Sequence, residues 1–163
     1  MKRMITAALV CLVAAVAYGA AWNLRFAKTF QIPGSPEVVV ATEGDFESRS
    51  IGSYALRVYG GTSTKYPLDD FVTGVIRPRN GTIETVRFDH IDGDDRLEIV
   101  VVIRSAGSGG YVSADAFRYR AGLLESVVSV SDLDKIADPI RALRDKYDAR
   151  VGRKPSTTSG MRE

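Results

Sequence analysis

From residue 37 to residue 130 the chain is a series of short β-branched or alternating runs, broken by glycine, asparagine and aspartate, with no sustained helical period. The runs cover 37–42, 53–59, 71–77, 83–88, 97–103, 116–119 (with a start as early as Tyr111) and 123–130. The most apolar of them, Leu97-Glu98-Ile99-Val100-Val101-Val102-Ile103, reads as a central strand. In 53–59 the large apolar residues Tyr54, Leu56 and Val58 share one face, with Arg57 opposite. Run 83–88 alternates, but its two faces are mixed and its buried side is open. Asn80-Gly81 is the strongest local hairpin signal. The pattern changes at Asp138-Pro139, a helix cap followed by a first-turn proline, after which Ile140, Leu143 and Tyr147 fall on one face. The expected fold is mainly β, an antiparallel sandwich or partly open barrel carrying one short C-terminal helix.

The N-terminus is of a different kind. Met1-Lys2-Arg3-Met4 is positive, 5–17 is uncharged and apolar apart from Thr6, and Ala17-Tyr18-Gly19-Ala20-Ala21 is small-residue rich. This is the three-part pattern of a secretion signal, cut after Gly19, Ala20 or Ala21. The alternative is a membrane anchor, since 4–24 is long enough to span a bilayer. The organisation read from sequence is a signal peptide over 1–21, a leader over 22–36, a domain over 37–150 and a flexible tail over 151–163. Removal of Lys2 and Arg3 leaves 20 basic against 20 acidic side chains, so the mature chain has no electrostatic signature of a nucleic-acid partner. Cys11, the single cysteine, lies within the signal and lacks the flanking residues of a lipid-attachment site. A mature chain without it must be held by its core rather than by disulfides.

Three segments could carry chemistry. In Ser105-Ala106-Gly107-Ser108-Gly109-Gly110-Tyr111, three glycines in four residues around Ser108 cannot form a strand interior. The chain must leave the sheet there, and the loop presents Ser108 and Tyr111. Glycines permit close approach to a partner, and a tyrosine offers a broad face with a terminal hydroxyl. An ordinary hairpin connection with Tyr111 folded onto the core fits the same residues. As an enzyme motif the segment fails: it approximates a nucleophile elbow, but no helix pattern follows Ser108, and the one histidine, His90, precedes it. The second segment, His90-Ile91-Asp92-Gly93-Asp94-Asp95-Arg96-Leu97-Glu98, approaches a calcium loop, with His90 at the first ligand position and Asp95 in place of the second glycine. A turn with side-chain to backbone hydrogen bonds is the plainer reading, and no metal or cofactor is expected. The third, the paired acids Asp69-Asp70 and Asp94-Asp95, reads as solvated turns.

Several of these pieces together resemble one family. They are Gly44-Asp45-Phe46-Glu47, Arg49-Ser50-Ile51-Gly52-Ser53-Tyr54, Asp92-Gly93-Asp94, the run from Glu98 through Tyr111, and Ser113-Ala114-Asp115-Ala116-Phe117. Over roughly 37–150 the chain resembles the periplasmic inhibitors of invertebrate-type lysozyme of Gram-negative bacteria. The resemblance implies a β-sandwich, a homodimer and no enzymatic activity of its own. It implies a glycine-rich loop, here Ser105, Gly107, Ser108, Gly109, Gly110 and Tyr111, that enters the lysozyme's substrate cleft and so protects peptidoglycan. It further implies that Ser108 and Tyr111 reach the catalytic region, where two carboxylates stand, and that the 92–95 turn is structural. Arg104 is a candidate for attraction to an acidic cleft. The rival reading is a secreted carbohydrate- or protein-binding module of the cell envelope; a calcium-dependent structural domain is a third.

Overall fold

The computed structural model describes residues 25–63 and 65–152. The segment read as a signal, Cys11 within it and most of the stretch read as a tail lie outside the described residues. Among the described residues eight strands form two four-stranded antiparallel sheets. Sheet A holds β1 (Ala27–Gln31), β2 (Val38–Glu43), β3 (Ile51–Tyr59) and β4 (Phe71–Asn80). Sheet B holds β5 (Thr82–Asp89), β6 (Glu98–Arg104), β7 (Val112–Arg120) and β8 (Leu123–Leu133). Each sheet is a meander in chain order, and α1 (Pro139–Val151) follows. The sandwich expected from the runs is the observed architecture.

The inner faces meet through Val39, Ala41, Tyr54, Leu56 and Val58 from sheet A and Ile99, Val101, Ile103 and Phe117 from sheet B. Burying such side chains contributes about 1.5–3 kcal/mol each. The outer face of sheet B is covered by α1, whose Ile140 and Leu143 pack with Val100, Val102, Ala114 and Ala116. β6 is thus covered on both faces, which explains its unbroken apolar run. Asp138 caps α1, its carboxylate accepting the Ile140 and Arg141 N–H groups, and Gly152 closes the helix in the left-handed conformation. Tyr54 crosses the core edge-on to Phe117 and donates its hydroxyl to Asp115 at 2.5 Å. Burial first, then the Asp115 charge, pushes the Tyr54 phenol well above its ordinary range.

Two local features depart from the sequence reading, and a third answers a point it left open. The stretch read as a leader contains β1, which pairs with β2 as an edge strand of sheet A. Asn80-Gly81 makes no hairpin: it is the corner where the chain leaves sheet A for sheet B. A two-residue hairpin turn of the favoured type needs positive φ at both residues. Here only Gly81 has it, at +120°. A Cβ on Gly81 would stand 2.0 Å from the Arg104 carbonyl, so glycine is required by close approach as well as by φ. The tight hairpin lies instead at Ala121-Gly122, with φ of 49° and 79°, joining β7 to β8. The mixed faces of β5 have a simple cause. A bulge between Ile83 and Thr85 shifts the alternation, so that Ile83 and Val86 both reach the core.

Candidate functional site

The site is built at one pole of the sandwich. β6 and β7 are joined by 105–111, the glycine-rich loop, and the structure brings all six sequence-identified residues together on it. Its neck is closed by the Ser105 N–H, which donates to the Tyr111 carbonyl at 2.8 Å. Its tip is a turn in which the Gly110 N–H donates to the Gly107 carbonyl at 3.1 Å, with Gly110 left-handed at φ 57°. The Gly107 N–H leans on the Ser105 hydroxyl at 3.3 Å.

Arg104 has a role that the sequence reading did not give it. Its guanidinium forms a two-pronged pair with Glu84, at 2.9 and 3.0 Å, and donates to the Gly110 carbonyl at 3.0 Å. It therefore braces the far side of the loop from β6. An exposed pair of this kind adds little stability; its consequence is placement.

The loop holds its two candidate contact residues outward. Ser108 is exposed and Tyr111 is 51% exposed, so the phenol is not folded into the core. Among the described residues neither hydroxyl is committed to a partner. The Tyr111 ring rests on Gly109, where a Cβ would stand 2.5 Å from a ring carbon. Gly109 thus makes a seat for the ring. A Cβ on Gly107 would meet only the Ser105 hydroxyl, at 3.6 Å.

A second loop, 44–50, shares this pole, and its organiser was missed in the sequence. Arg79, 2% exposed near the end of β4, donates to the carbonyls of Ser48 and Arg49 at 2.9 Å each, of Ser53 at 3.0 Å, and of Gly81. A buried guanidinium is tolerable only with such full hydrogen bonding. Arg79 is separated from its partners by 26 to 31 residues, apart from Gly81, so no local pattern announces it. Glu47 completes the loop by accepting the Ser53 N–H at 2.5 Å and the Ser53 hydroxyl at 2.7 Å. Those bonds, the backbone one foremost, hold its carboxyl below the ordinary value of 4.5. The Ser50 carbonyl accepts the Gly81 N–H at 2.7 Å, and Gly81 lies against Arg104 and Ser105. The two loops are therefore neighbours through one glycine.

The calcium-like turn lies at the other end of β6, a strand length of about 20 Å away. Carboxylate oxygens of Asp92, Asp94 and Glu98 gather within 4.8 Å of one another. Two arginines already answer that charge. Arg118 pairs with Asp92 and stands 3.6 Å from Glu98, and Arg120 pairs with Asp94. The turn itself is made by side-chain to backbone bonds, Asp94 N–H to Asp92 at 2.9 Å and Arg96 N–H to Asp94 at 2.8 Å. Burial first, then the Asp92 charge, raises the Glu98 carboxyl, although the Ile91 N–H bonded to it works the other way. His90 belongs to this turn, through the Asp94 and Arg96 carbonyls at 3.1 and 3.0 Å. It is thus far from Ser108, which is followed by β7 and not by a helix, so the serine has no histidine base.

The model of one family, described as periplasmic lysozyme inhibitor of I-type lysozyme, matches residues 24–147. The chain belongs to that family. The inhibitor of I-type lysozyme from Aeromonas hydrophila, solved alone, is 41% identical, covering 72% of this chain and 98% of its own, with a TM-score of 0.68. The same inhibitor in complex with a lysozyme of Meretrix lusoria is 42% identical, covering 73% and 95%, also with a TM-score of 0.68. No curated protein sequence matches. The family is periplasmic and non-catalytic.

Proposed function

We propose that this chain inhibits an invertebrate-type lysozyme in the periplasm by lodging loop 105–111 in the enzyme's substrate cleft. The observation that carries the reading is a loop braced at its neck and side while Ser108 and Tyr111 stand exposed with uncommitted hydroxyls. It is supported by a relative whose solved complex contains a lysozyme of this type. A glycosidase cleft presents two carboxylates, one an acid and one a nucleophile or base. The Ser108 and Tyr111 hydroxyls donate to those groups in place of sugar hydroxyls, each charge-assisted bond contributing about 1.5–3 kcal/mol. The glycines keep the inserted element narrow, and Gly109 holds the Tyr111 ring ready. Because the brace exists before binding, little ordering entropy is lost on docking. Peptidoglycan is protected as a result, without any reaction on this chain.

The test is an activity titration of invertebrate-, goose- and chicken-type lysozymes with the purified mature chain. Stoichiometric loss of the invertebrate-type activity is expected, and full activity at excess chain overturns the proposal. A homodimer is part of the same proposal. It is supported by the outer face of sheet A, which no helix of the described residues covers and where Ile76 is 71% exposed, and sedimentation at working concentration tests it.

A further inference from the structure

At the same pole as the glycine-rich loop stands an aromatic side chain that the proposed mechanism does not use. Phe46, at the tip of loop 44–50, is fully exposed, and its backbone is left-handed at φ 63°. A bulky side chain in that region is uncommon and costs free energy, and such outliers persist only where the surroundings over-determine them. The surroundings do so here. On one side of Phe46 the Gly44 N–H donates to the Ser53 carbonyl at 3.1 Å. On the other, Glu47 is fixed by Ser53, and the Ser48 and Arg49 carbonyls are fixed by buried Arg79. Gly44 and Gly52 are both packed so closely on the Glu47 carboxylate that a Cβ would fall within 2.6 Å of it. A dense set of bonds thus fixes a loop whose most prominent feature is an apolar ring in water. Among the described residues nothing packs on that ring.

Its position supplies the reason. Through Ser50, Gly81 and Ser105 the two loops share one pole, and Ile51, 69% exposed, lies beside the same corner. We propose that Phe46 is a second anchor for the lysozyme, docking on an apolar patch at the rim of the substrate cleft while Tyr111 enters it; this rests on the function proposed above. A rigid aromatic side chain that is fully desolvated in a partner's pocket can carry a large share of the binding energy of a small interface. The ring also adds a means of telling lysozymes apart, because a rim is free to differ where catalytic carboxylates are not.

The test is an inhibition titration of the mature chain and of Phe46→Gly, Phe46→Leu and Tyr111→Ala against an invertebrate-type lysozyme, with thermal melting of each. Glycine adopts φ 63° without cost, so Phe46→Gly removes the ring while leaving the loop backbone in place. A melting temperature no lower than the parent's, an inhibition constant at least about tenfold weaker, and partial recovery in Phe46→Leu are expected for an anchor whose loss costs 1.4 kcal/mol or more. Unchanged potency in Phe46→Gly alongside lost potency in Tyr111→Ala overturns the second anchor and leaves the cleft reading standing. A parent chain that does not inhibit at all overturns both.

Discussion

Replacing Tyr111 by alanine separates the fold of this protein from its activity. The side chain is 51% exposed, and its hydroxyl has no partner among the described residues, so the folded state depends on it little. A tyrosine offers roughly 150–250 Å² for burial, and about half of that, on the order of 100 Å², is still available to a partner. At about 25 cal/mol per Å² that area corresponds to about 2.5 kcal/mol. A hydrogen bond from the phenol to a cleft carboxylate adds about 1.5 kcal/mol. The sum, about 4 kcal/mol, is roughly a thousandfold in the inhibition constant. Tyr111→Phe loses only the hydroxyl and is expected to weaken inhibition by roughly tenfold, from about 1.5 kcal/mol. The assay is a titration of lysozyme activity with each variant, accompanied by circular dichroism and melting to establish that the fold is kept. A folded Tyr111→Ala that inhibits as well as the parent refutes the reasoning.

Three further outcomes are expected. Gly109→Ala pushes the Tyr111 ring off its seat and weakens inhibition in the same titration, whereas a Cβ on Gly107 would meet only the Ser105 hydroxyl, at 3.6 Å, so Gly107→Ala is expected to leave the melting temperature unchanged. Glu47, whose folded pKa is lowered, contributes stability that is complete above 4.5 and is lost as pH falls through the lowered value. Urea unfolding of the parent and of Glu47→Gln is therefore expected to show a stability gap at pH 7 that narrows below about pH 4.5. Glu98, raised by burial, changes in the opposite sense in both proteins and cancels in that comparison. Because Arg118 and Arg120 already neutralise Asp92 and Asp94, addition of calcium or of a chelator is expected to leave the melting temperature unchanged.

How much of this was legible depends on whether the cause was local. The buried face of β3 could be read because Tyr54, Leu56 and Val58 alternate within seven residues, and α1 because its cap and its stripe are contiguous. The loop at 105–111 could be read as leaving the sheet because glycine density excludes a strand. Its brace could not: Arg104 finds Glu84 twenty residues away, and only the register of β5 on β6 brings them together. Asn80-Gly81 misled because a dipeptide reports φ preferences and not which sheet the next strand joins. β1 was missed since Ala27–Gln31 has too few alternating apolar residues to announce an edge strand. Arg79 and Phe46 had no sequence signal of their role, one being defined by distant carbonyls and the other by a backbone conformation.

Hydrogen exchange on the mature chain, alone and with an invertebrate-type lysozyme bound, reads the contact surface without any mutation. Slowed exchange of the backbone amides within 105–111 on binding is the predicted result. Amides of that loop exchanging at their free rate, while protection appears on another face of the sandwich, would contradict it.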